Sequence, residues 1–144
     1  MWIILALGAS LMWGLNYVIG EQIYKKISVV TSLAITTVIT GIIMFIIAYA
    51  GGFLQKDLGA ISSSRRLLFL VVAETVILIL AELFIGFSIT AKSATLAGLI
   101  EISYPIFIAI FAYLLFKENQ LNVPTAIGGA FIFIGVFIIY YFNK

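Results

Sequence analysis

The sequence predicts an all-α, polytopic membrane protein, a bundle of five transmembrane helices, and three observations carry that expectation. Of its 144 residues, 64% are hydrophobic and only 10% charged, with a mean hydropathy of +1.25. A soluble domain has roughly 45–50% apolar and about 25% charged residues, so this chain has too little polar surface to cover itself in water. The apolar residues gather into five runs, each near the ~20 residues needed to cross about 30 Å of hydrocarbon. Apart from three glutamates, the charged residues fall in the gaps between those runs or, in the case of Lys144, beyond the last of them.

Taken in order, helix 1 is predicted at Trp2–Gly20. It has no Lys or Arg ahead of its apolar run and is longer than a typical signal core, so it reads as a retained span. Glu21, Lys25 and Lys26 follow in the first loop, and helix 2 spans Val29–Ala50. The second loop, residues 51–66, is the longest: GGFLQKDLGAISSSRR, rich in glycine, serine and charge. Helix 3 spans Leu67–Thr90. A very short loop around Lys92 precedes helix 4, Ala94–Phe116. After KENQLNV, Pro124 suits the first turn of helix 5, which runs to Phe142. Trp2, Tyr24, Tyr49, Tyr140 and Tyr141 lie near run ends, where interfacial aromatics belong. The whole chain, 1–144, reads as one domain.

Several function classes are excluded early. The chain has no cysteine and no histidine. There is therefore no thiol nucleophile, no thiolate metal site and no imidazole to ligate a metal or titrate near neutral pH. No phosphate loop or nucleophile–base pair is present, so no enzyme, cofactor or metal is expected. Net charge is +2 with the basic residues scattered, which gives no nucleic-acid patch.

Five spans place the two termini on opposite sides of the membrane. Lys and Arg favour the cytoplasmic side. The amino-terminal side carries Lys56, Arg65, Arg66 and Lys117, and the other side Lys25, Lys26, Lys92 and Lys144. The bias is zero. Either the chain inserts both ways round, or the Arg65–Arg66 doublet decides and the amino terminus is inside.

Two stretches carry a family resemblance. ALGASLMWGLNYVIGEQI, residues Ala6–Ile23, is a small-residue helix with Trp-Gly-x-Asn. The stretch from Ser93 to Tyr140 has Pro105 within a helix, Glu118 just after it, and Gly128, Gly129 and Gly135 in the last helix. In order and spacing these resemble the opening and closing patterns of the EamA domain of the drug/metabolite transporter superfamily. Typical members resemble two such domains in tandem, with the halves inverted; this chain looks like one half. It also lacks the basic residue that many members carry in helix 2, where it reads SLAITTVITG.

The resemblance implies a secondary transporter or exporter of small organic molecules in the inner or plasma membrane. Its partners would be the lipid bilayer, a small-molecule substrate and protons. In transporters built from inverted repeats, substrate sits near the midplane between the halves. A single half then calls for an antiparallel homodimer or a related half-transporter. Two other classes stay open: a non-transporting accessory subunit of a heteromeric transporter, and a subunit of a lipid-carrier flippase.

Glu74 and Glu82 in helix 3 and Glu101 in helix 4 are the carboxylates inside predicted spans, and no Lys or Arg lies deep in a span to meet them. An ionised group at the bilayer centre costs roughly 2.5–3.5 kcal/mol. Such a carboxyl has reason to carry a proton and to release it only to a partner, as a proton-coupled exporter requires. Depth ranks Glu82 first. Glu74 and Glu82, eight residues apart, lie about 80° apart around the helix. The competing reading makes all three interhelical packing contacts.

In helix 1, Trp13 and Tyr17 share a face with Asn16 beside them, an aromatic wall for a cation or flat organic. Tyr104 follows Glu101 by three residues, and Pro105 is expected to kink helix 4 as a hinge. Packing accounts for these residues as well. Ser32, Thr36 and Thr40 in helix 2 either bond their own backbone or line a polar path. Glu118 reads as a loop or capping residue, and the three late glycines as an assembly seam.

Overall fold

The computed structural model describes residues 1–143. Lys144, counted above among the basic residues, lies outside the described residues. The order of elements is α1 (Trp2–Tyr24), α2 (Val29–Ala50), α3 (Phe53–Ser63), α4 (Arg65–Ala91), α5 (Ala94–Glu101), α6 (Tyr104–Phe111) and α7 (Val123–Phe142). A wide π turn over Ala112–Phe116 extends α6, and no strand occurs among the described residues. Among the described residues, five stretches are long and apolar enough to cross a membrane: α1, α2, α4, the α5–α6 segment Ala94–Phe116, and α7.

Polar caps start these helices where the apolar runs begin. The Ser28 hydroxyl accepts from the Thr31 amide at 3.1 Å, Ser64 from Leu67 at 3.3 Å, and Ser93 from Leu96 at 3.3 Å. The Asn122 side chain accepts from the Thr125 amide at 2.9 Å, with Pro124 in the first turn of α7. Each cap satisfies an amide that a helix start leaves without an intrahelical partner.

Three segments depart from the sequence expectation, one of them helix 4, expected as a single kinked helix over Ala94–Phe116 and found as α5 and α6 followed by the π turn. Helix 1 continues past Gly20 to Tyr24, because Glu21 and Gln22 are good helix formers and only the apolar run, not the helix, ends there. Residues 53–63, expected as loop, form α3. Glycine and serine are abundant there, but the glycines sit at the joint: Gly52 adopts a left-handed φ of 73° and turns the chain out of α2. Beyond it the spacing of Leu54, Leu58 and Ile61 supports a helical turn pattern.

The chain packs as two compact units. The first, Met1–Glu21 with Ser88–Lys144, holds α1 up to Glu21, the last turn of α4, and α5 to α7. Its buried residues are small: Ala94, Ala97, Ala109 and Ala112, together with Ile89. Small residues let membrane helices approach closely where no hydrophobic effect drives them together. α5 packs on α7. Gly129 of α7 meets the Ile106 side chain so closely that a Cβ would stand 3.3 Å from it.

The second unit, Gln22–Phe87, holds the turn after α1, α2, α3 and most of α4. Val29, Ser32 and Gly86 are its buried residues, and α3 packs against α2. Gly86 of α4 admits Val29 and the Tyr24 ring against its backbone; a Cβ there would collide with the Val29 side chain. In both units most of the large aliphatic and aromatic side chains are exposed, as expected where lipid is the solvent.

Candidate functional site

Trp13, Tyr17 and Glu21 recur at four-residue spacing and so share one face of α1. Trp13 and Tyr17 stack obliquely, with ring centroids 5.7 Å apart and planes at 56°. The Tyr17 hydroxyl donates a hydrogen bond to the Oε2 atom of Glu101, the last residue of α5, and both side chains are half-buried. One turn earlier in α5, Gly98 leaves room for the Tyr17 ring: a Cβ there would lie 3.4 Å from the ring edge. At the other end of α5, the Glu21 carboxylate accepts the Ala94 amide at 2.9 Å, next to the Ser93 cap. Negative charge at a helix start is favoured by the exposed amides there. α5 is thus fastened to α1 at both ends, in antiparallel register.

The break after Glu101 follows from Pro105. Proline has no amide hydrogen, so the bond that residue 105 would make to the Glu101 carbonyl is lost. The chain answers with tighter turns: the Ser103 amide bonds the Ile100 carbonyl at 3.2 Å, and the Ile106 amide bonds the Ser103 carbonyl at 3.2 Å. Ile102 and Ser103 separate α5 from α6, and Pro105 occupies the first turn of α6. The carboxyl bonded to Tyr17 therefore sits immediately before an interruption within a membrane-spanning segment.

The remaining residues singled out in the sequence are distributed as follows. Asn16 is exposed, and Tyr104, past the break, is 55% exposed. Glu82 lies half-buried in α4 within the other unit. Glu74, on the same helix, is exposed. Thr36 donates to the backbone carbonyl of Ser32 at 3.0 Å, an internal helix bond. Glu118 lies in the turn after α6, where its amide bonds the Ala112 carbonyl at 3.1 Å and its carboxylate accepts from Gln120 at 3.3 Å. Among the described residues, no group of three or more Asp, Glu, His or Cys is placed to hold a metal ion.

Sequence reasoning missed two members of the α1–α5 contact. Glu21 reads as a loop residue in the sequence, though its four-residue offset from Tyr17 is legible there. Gly98 carried no separate signal.

Comparison with known proteins decides the family. The model of the EamA-like transporter family matches residues 1–141. The chain belongs to this family. EamA proteins are transporters of the drug/metabolite superfamily, and the family is not an enzyme family. With five apolar helices long enough to span, this EamA protein is a multi-pass protein of a lipid bilayer. No curated protein and no solved structure matches the chain.

Proposed function

We propose that this EamA protein is a proton-coupled exporter of a small amphipathic metabolite or drug in the inner or plasma membrane. It works as a single five-helix domain and pairs with an oppositely inserted copy of itself. The observation that carries the proton-coupling reading is the Tyr17–Glu101 bond beside the Pro105 break, within a span. The even split of basic residues supports the inverted pairing.

In this reading Glu101 holds the exchanged proton. When the proton leaves, Tyr17 still donates to the carboxylate, and a bond to a charged acceptor is about twice as strong as a neutral one. The other carboxylate oxygen is then available to a donor group on the substrate, with the Trp13–Tyr17 pair as an apolar wall beside it. The separation of α5 from α6 at Ile102–Ser103 gives the span a place to bend as the site opens to one side and then the other. Glu82, half-buried in α4, remains a second carrier candidate.

Purified protein in proteoliposomes tests the proposal. Under an imposed proton gradient, the chain alone should move substrate, and Glu101→Gln should abolish the pH dependence of transport. Loss of that dependence in Glu82→Gln but not in Glu101→Gln transfers the role to Glu82. Absence of activity in the chain alone, together with a cross-link to a different subunit, favours the accessory-subunit reading.

A further inference from the structure

α3 is short, and both of its joints are tight. Gly51 and Gly52 alone separate it from the end of α2, and Ser64 alone separates it from the start of α4. A residue reaches at most about 3.5 Å. Both neighbours are membrane-spanning helices, so α3 is held within a few ångströms of the membrane boundary and cannot stand off in water.

Its residues are arranged for that place. At 100° per residue, Leu54, Leu58 and Ile61 fall within one narrow arc, and Lys56 and Ser63 lie on the far side. Leu54 and Ile61 are half-buried, whereas Leu58 is 54% exposed, so the chain itself leaves this face partly uncovered. The positively charged residues in and beside the helix are Lys56, Arg65 and Arg66, against Asp57 as the acidic one. An amphipathic helix with a basic flank at a bilayer surface buries its apolar face at the boundary of headgroups and acyl chains.

We propose that α3 is a membrane-surface helix, seated in the headgroup layer with Leu54, Leu58 and Ile61 toward the hydrocarbon and with Arg65 and Arg66 on anionic headgroups.

The chain has no native cysteine, so nitroxide labels can be placed singly at Leu58→Cys and Ser63→Cys in the full-length protein. The vesicles contain phosphatidylcholine with phosphatidylglycerol. The Leu58 label should collide with oxygen several-fold more, and with a water-soluble nickel relaxant several-fold less, than the Ser63 label. Equal, water-like accessibility at both sites overturns the proposal. Protection of Leu58 from both relaxants also overturns it, because a second copy or another protein then covers the face. Replacing phosphatidylglycerol with phosphatidylcholine should raise the Leu58 label toward water, and Arg65→Gln with Arg66→Gln should remove that response. A label depth indifferent to lipid charge overturns the role given to the two arginines.

Discussion

Tyr17 and Glu101 lie 84 positions apart in the chain, yet the tyrosine hydroxyl donates directly to the glutamate carboxyl. The bond joins α1 to the last residue of α5, one residue before the helix is interrupted. Its two ends are expected to respond differently to substitution.

Tyr17→Phe keeps the ring against Gly98 and removes the donor. Interhelical hydrogen bonds in membranes average roughly 0.6 kcal/mol, so unfolding in mixed micelles should shift by about that amount. Glu101→Gln keeps an acceptor for Tyr17 and should leave stability nearly unchanged. The same variant is expected to flatten the pH profile of transport, so the two measurements separate packing from proton exchange.

Gly98→Val places a branched side chain where the Tyr17 ring lies; even a Cβ would stand 3.4 Å from it. Overpacking costs typically about 1–3 kcal/mol. A loss of that size is expected, with Gly98→Ala near the wild type. If Gly98→Val unfolds like the wild type, α5 does not lie on the Tyr17 ring.

Glu21→Ala removes the oxygen that receives the Ala94 amide. Losing a capping acceptor costs roughly 0.5–2 kcal/mol, and Glu21→Gln should restore most of it. Hydrogen exchange at Ala94 reads the effect at the bond itself: exchange should rise in the alanine variant and remain slow in the glutamine variant.

Pro105→Ala returns an amide to the Glu101 carbonyl and permits α5 and α6 to run on as one helix. Equilibrium stability should rise, since the interruption is no longer imposed. Transport should slow if bending at Ile102–Ser103 accompanies the cycle. Unchanged transport in a stabilised variant removes the hinge role from Pro105.

Gly86→Ala sets a methyl group against Val29. It should destabilise by roughly 1–3 kcal/mol through overpacking, an effect that a second change, Val29→Ala, is expected to relieve in a double-mutant cycle.

Hydropathy made the five spans readable because it is summed over some twenty residues, and single polar side chains do not disturb the sum. The same averaging concealed the end of α1, where Glu21 and Gln22 lower the hydropathy without ending the helix. It concealed α3 as well, whose apolar residues are too few to register as a run and are flanked by glycine and serine. The break after Glu101 was readable because proline acts locally, through one missing amide. The pairing of Tyr17 with Glu101 was not, since it depends on the register of two helices far apart in sequence. Depth within a helix pointed first to Glu82, but depth carries no information on which side chain stands opposite.

The joints of α3 have a mechanical consequence. Eleven helical residues make a stiff rod of about 16 Å, with two residues of slack at one end and one at the other. Helices in contact lie about 8–10 Å apart. If α3 lies flat, it acts as a spreader bar between the end of α2 and the start of α4. Drawing those two ends together requires one end of the bar to tip upward, which lifts its leucines toward water. Compression of the bilayer at that surface, by curvature or tight lipid packing, would then push on both spans at once through a single rod.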